Sequence, residues 1–208
     1  MGSFDRILAG VFGALFLVLI INFSNQVNHK KKIDIVVSGL ESGDYHMIDS
    51  DLIPLAEANN ARAQYNLGLA FLRGDGVQQN DKLAYYWTKR AAENGDKRAT
   101  LNLANMYLEG RGTKQDESQA FKWFSKAAIN GDSNAQLAMG RMYRDGAGVK
   151  QDYKMAFYYI SAAAASGNNI DAKTELAEMY INGWGTRKDV FLASRILSEL
   201  NTAGYKKE

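Results

Sequence analysis

The chain has 208 residues, 46% of them hydrophobic and 23% charged, which suits one buried core plus a small extra segment. With no cysteine, two histidines (His29 and His46) and one proline (Pro54), it excludes disulfide scaffolds, Cys-zinc sites and thiol nucleophiles, and leaves almost nothing for histidine catalysis. The formal charge of +2 sits at the N-terminus: from Ile33 onward there are 21 basic and 22 acidic residues, which is no footprint for a phosphate backbone, so nucleic acid is not an expected partner.

The first predicted element is Ile7 to Phe23, 17 residues without a charge and with one amide, Asn22. As a helix it spans about 25 Å, near the lower limit for crossing a bilayer. Residues 1–32 are therefore expected to form an N-terminal transmembrane anchor with the basic flank Lys30 to Lys32. A secretory signal peptide has a shorter apolar region and ends at a small-x-small cleavage site. Ser24 to Asn28 offers no such site, which favours an uncleaved single-pass anchor. Cleavage of residues 1–28 would instead leave a secreted, soluble binding module. The lysine cluster alone would hold the downstream domain in the cytoplasm. A short leading tail with one arginine, Arg6, equally suits an anchor that exports that domain.

Residues 33–60 read as a helical hairpin. Ile33 to Leu40 is its first helix, Glu41 to Asp44 its turn, and Pro54 begins or kinks its second helix, because proline has no amide to donate. This stretch has six acids and no lysine or arginine, so it suits the neighbouring Lys30 to Lys32.

Residues 61–208 repeat. Segments starting at Ala61, Lys97, Ser133 and near Asp171 match at spacings of 36, 36 and 37 residues, a period typical of stacked repeat architectures. Ala63, Ala99, Ala135 and Ala172 open each first helix. Leu67, Leu103, Met139 and Leu176 follow four residues on, then Phe71, Tyr107, Tyr143 and Tyr180 after four more. Such an i, i+4, i+8 row is one buried stripe. Gly68, Ala104, Gly140 and Ala177 keep the stripe open to a close helix. A Gly-x-Gly pair then stops each first helix, from Gly74-x-Gly76 to Gly183-x-Gly185. Asn80, Asp116, Asp152 and Asp189 are placed to cap the second helix. Trp87, Trp123 and Tyr159 are its large packing groups, and Gly95, Gly131, Gly167 and Gly204 end it. In the last repeat Ile196 and Leu200 replace the aromatic and an alanine, as expected of a terminal unit. One hairpin cannot bury its apolar face alone, so the hairpins must stack.

The columns Ala63-Gln64-x-x-Leu67-Gly68-x-x-Phe71, Gly74-x-Gly76-Val77 and Ala84-x-x-Trp87-x-x-x-Ala91-Ala92-x-x-Gly95 resemble the Sel-one-like repeat (SLR), a branch of the tetratricopeptide superfamily. The likeness covers about Ala61 to Gly204. It implies an all-α fold: a right-handed α-solenoid of about four helix-turn-helix repeats plus the N-terminal hairpin. It also implies a non-catalytic adaptor, without cofactor, that assembles membrane-associated or envelope complexes. The cysteine-rich bacterial subgroup and its proposed enzymatic roles do not carry over to a chain without cysteine.

Similar repeats bind partners on the concave face, lined by the first helices. By position that face holds Arg62, Tyr65, Leu69, Leu72 and Arg73, then Arg98, Leu101, Asn105 and Leu108. Arg141, Arg144 and Glu178 continue it, with Leu137 among their neighbours. Tyr, Leu and Arg are residues that protein interfaces use as anchors. Packing against the next repeat is the competing role for each leucine. The expected partner is a membrane-associated protein, with no small-molecule substrate. None of the Gly-x-Gly turns has a phosphate-loop pattern. Glu175 and Glu178, one turn apart, resemble an acid/base pair, but no third group supports catalysis and solvated acids are the simpler reading. An enzyme or enzyme regulator on the same scaffold is the rival function. Family habit favours the exported side of the inner membrane for the repeats, against the lysine cluster.

Overall fold

A computed structural model describes residue 28 and residues 30–166 and 169–202. The apolar run Ile7 to Phe23, and the helix-ending Gly167 and Gly204, lie outside these residues. Among the described residues there are ten helices, no strand, and no helix long and apolar enough to cross a membrane.

Helix α1 covers residues 30–41. It buries Ile33, Val36 and Val37, with Leu40 packed beside them, an i, i+3, i+4, i+7 stripe. The chain returns through a turn with Gly43 at φ 81°, then a single π-helical turn, Ile48–Leu52, which runs into α2 (Ile53–Glu57). Pro54 explains that widened turn. Its ring would collide with the carbonyl four residues back, and the i to i−5 pattern, with Ile53 N–H donating to the Ile48 carbonyl, relieves the crowding. Lys32 pairs with Asp51 at 2.5 Å, so the basic flank does meet the acidic hairpin.

Four hairpins follow: α3 (Ala61–Arg73) with α4 (Asp81–Glu93), α5 (Lys97–Glu109) with α6 (Glu117–Ile129), α7 (Ser133–Asp145) with α8 (Tyr153–Ala165), and α9 (Ile170–Asn182) with α10 (Val190–Thr202). Each helix has 13 residues, and the first helices stop at the first glycine of each Gly-x-Gly pair. Asn80, Asp116, Asp152 and Asp189 accept backbone N–H bonds at the starts of the second helices. Asn60, Asp96, Asp132 and Asn169 do the same for the first helices. Leu67, Leu103 and Met139 are buried, while Trp87, Trp123 and Tyr159 are half-buried against the core. Gly68 and Gly140 are needed for closeness. A Cβ on Gly68 would stand 2.7 Å from the Thr88 hydroxyl, and one on Gly140 would run into Ile160.

The seams between hairpins use two devices. The second glycine of each turn lies on the preceding unit: Gly112 on the Asp81 carbonyl, Gly148 on the Glu117 carbonyl, Gly185 on the Tyr153 carbonyl, and Gly76 on Tyr45 and Ile48. Beside these, edge-to-face aromatic pairs join one second helix to the next first helix. They are Tyr85–Tyr107, Phe121–Tyr143 and Phe157–Tyr180, at 5.6, 5.4 and 5.4 Å. Tyr85 and Tyr107 also share a 2.7 Å hydroxyl hydrogen bond; burial, then that bond, pushes the Tyr107 phenol well up. The N-terminal hairpin joins the same stack. Its Ile48, Leu52 and Leu55 share a core with Ala63 and Leu67, and buried Gln64 donates to the Ala56 carbonyl at 2.9 Å.

Candidate partner-binding face

The first helices α3, α5, α7 and α9 present one continuous stripe, and its two halves are built differently. In the first half the side chains frame a cleft of about 200 Å³. Its floor and one wall are Tyr65, Asn66, Leu69 and Ala70 of α3, with Arg73 and Asp75 at the mouth. Arg98 of α5 closes one side, its guanidinium 4.3 Å from the centroid of the Tyr65 ring and its Nη2 3.1 Å from Asp96. The other side is the N-terminal hairpin, through Leu40, Glu41 and Tyr45. That contribution is not visible in the repeat columns, because Tyr45 lies in the hairpin turn; the signal for it is Gly76, whose missing side chain lets Tyr45 approach. A cleft of this size is below the usual range for small-molecule sites and has room for one bulky side chain.

Leu69 and Leu72 are half-buried, as are Asn105 and Tyr65, and Arg73 is exposed within 4.0 Å of Asp75. Arg62, at the edge of the stripe, is paired with Asp34 of α1. Leu101 and Leu108 pack partly into the core beneath α5 and α6, so the competing role applies to them in part. Leu137 is a correction. Expected on the stripe, it is 4% exposed and belongs to the core shared by α7, α8 and α9.

In the second half, Arg141 and Arg144 face a carboxylate of the next repeat. Glu175 receives Arg141 Nε at 2.7 Å and Arg144 Nη1 at 3.1 Å, and its side chain is only 14% exposed. Arg144 also bonds Asp145 at 2.8 Å; that bond, followed by the nearby carboxylates, holds its guanidinium above the usual range despite partial burial. Glu175 is thus no solvated acid and no half of an acid/base pair, but the clamp of two arginines. Glu178 is exposed. Among the described residues no cluster of His, Asp and Glu is placed to hold a metal ion.

The Sel1 repeat family model matches residues 61–96, 97–132, 133–168 and 170–193. The chain belongs to the Sel1-repeat family. A Sel1 repeat protein of Oxalobacter formigenes has a solved structure with TM-score 0.79 and 28% identity, covering 87% of this chain and 76% of that one. A protective antigen of uropathogenic Escherichia coli that displays an SLR fold gives TM-score 0.72 and 32% identity over 85% of this chain; the match spans 41% of the antigen's own length. A Klebsiella pneumoniae Sel1 repeat protein, at 19% identity and TM-score 0.52, shares the fold. No curated protein matches the chain at a significant level. The fourth Sel1 match stops at residue 193, where the columns of this chain degenerate: Ser194 stands where Tyr85, Phe121 and Phe157 supply the seam aromatic. Sel1 repeats generally mediate protein–protein interaction, and this chain carries the scaffold for it.

Proposed function

We propose that this Sel1-repeat chain is a non-catalytic, membrane-anchored adaptor that holds a partner protein along its first-helix face. The observation that carries the reading is the cleft between the N-terminal hairpin, α3 and α5. It is side-chain-sized, it has an aromatic and a leucine in its floor, and the N-terminal hairpin and α3 beside it are fixed by a shared core. A partner segment would seat a bulky side chain between Tyr65 and Leu69, then run on past Leu72, Asn105 and Leu108 toward Arg141, Arg144 and Glu178. Arg62, Arg73, Arg98 and Leu101 line its route. Rigid walls lower the ordering cost of binding.

The anchor in this proposal is Ile7 to Phe23 in the inner membrane, with the repeats on the exported side as part of an envelope complex. The test uses the full-length chain in native membranes. It should stay with the membrane through alkaline extraction, keep its full mass, and capture the same protein by crosslinking each time. Leu69→Asp should weaken that capture about thirtyfold, the loss of ~2 kcal/mol typical of an interface anchor. A chain released by alkali would overturn the anchor, a mature form lacking residues 1–28 would make it a secreted module, and undiminished capture by Leu69→Asp would overturn the face.

A further inference from the structure

The second helices show a different surface. Positions i, i+4, i+7 and i+11 from Lys82, Ser118, Lys154 and Phe191 form one stripe on α4, α6, α8 and α10, on which Lys89 pairs with Glu93 and Arg195 with the neighbouring Glu199 while the Ser161 hydroxyl is buried. Within it Lys82, Lys122 and Lys154 are exposed, with Lys126 beside them. The arginines of the first-helix face are tied to carboxylates: Arg62 to Asp34, Arg73 to Asp75, Arg98 to Asp96, Arg141 and Arg144 to Glu175. These four lysines have no carboxylate within 4.0 Å among the described residues. Interleaved with them are exposed large apolar groups: Ile129 and Phe191, both 82% exposed, Tyr158 at 62%, and Tyr86. A solvated charged face has no use for such side chains, whereas basic residues alternating with apolar and tyrosyl groups suit a headgroup layer.

We propose that the second-helix face lies on an anionic bilayer surface, with the lysines on lipid phosphates and the exposed apolar groups at the headgroup boundary. This rests on the anchored reading of Ile7 to Phe23. Helix α1 begins at residue 30, so residues 24–29 are all that separate the apolar run from it. Six residues reach at most about 20 Å, which keeps the domain beside the membrane at high effective concentration. Docking by this face turns the first-helix cleft away from the bilayer, free for a partner.

The chain has no cysteine, so one introduced cysteine reports one position. Full-length Ser118→Cys and Glu178→Cys, each carrying a fluorophore, are mixed with vesicles of phosphatidylcholine alone or with phosphatidylglycerol, each containing a headgroup quencher. Quenching of the Ser118→Cys label is expected only with phosphatidylglycerol. It should fall severalfold in high salt. Each of Lys122→Glu and Lys154→Glu should weaken it at least fivefold. The Glu178→Cys label should stay bright in all vesicles. Equal quenching of both labels, quenching independent of phosphatidylglycerol, or lysine-dependent binding of polyglutamate without quenching by phosphatidylglycerol vesicles would each overturn the proposal; the last would assign the face to an acidic protein. Flotation with pure phosphatidylcholine vesicles reports the anchor separately. A chain that fails to float there, yet is quenched by phosphatidylglycerol in a lysine-dependent way, loses the anchor and keeps the face.

Discussion

The two halves of the first-helix face occupy the same repeat columns and do opposite things with them. Leu69 and Leu72 in α3 correspond to Arg141 and Arg144 in α7. Next to the leucines the following repeat offers Asn102, and a cleft remains. Next to the arginines the following repeat offers Glu175, and the groove closes on itself. The same scaffold positions therefore leave an open cleft or form an intramolecular clamp according to whether leucines face an amide or arginines face a carboxylate. The N-terminal hairpin belongs to the first half, where Leu40, Glu41 and Tyr45 wall the cleft.

Four substitutions probe that comparison. The largest effect is expected beneath both halves, at the seams that hold them. Gly148→Ala would push a Cβ into the Glu117 carbonyl at φ 67°, and should cost about 3 kcal/mol in denaturant unfolding. Gly131→Ala has a similar φ of 83° with nothing within 4 Å, and should cost only about 1 kcal/mol, for the backbone strain alone. Equal costs would show that the seams do not depend on close backbone approach. Next comes Leu69→Asp, with about a thirtyfold loss of capture and little change in melting. Smallest is Glu175→Gln, which releases Arg141 and Arg144. It should cost about 1 kcal/mol or less and leave capture by the first-half cleft within about twofold, because the clamp is far from it. A collapse of binding in Glu175→Gln would mean that the two halves act as one site.

The repeat was legible because its signals are local. Caps such as Asp116 and stops such as Gly110 act within one turn, and the stripe Ala63, Leu67, Phe71 follows helical periodicity, so the columns located the helices to within a residue or two. The hairpin of residues 33–60 was legible from the Ile33 to Leu40 run, the Glu41 to Asp44 turn and Pro54, although the π-helical turn ahead of Pro54 needed the geometry of the backbone. What escaped the sequence depends on contacts between units. The second glycine of each turn reads as a helix stop, yet its use is to touch the previous hairpin. Glu175 reads as a surface acid until α7 is placed beside α9. Leu137 has the spacing of the exposed stripe and was drawn into the core by Ile160 and Met179, its neighbours from two other helices. Tyr45, a turn residue outside the repeat, completes the cleft only because Gly76 admits it.

The central claim is that partner proteins meet the first-helix face, and above all its first half. Site-specific photocrosslinking in native membranes tests it most directly, with the crosslinker placed in turn at Leu69, Asn105, Glu178 and, on the opposite face, Ser125. One protein adduct is expected, strong from Leu69, weaker from Asn105 and Glu178, and absent from Ser125. The same adduct from Ser125, with none from Leu69, would contradict it.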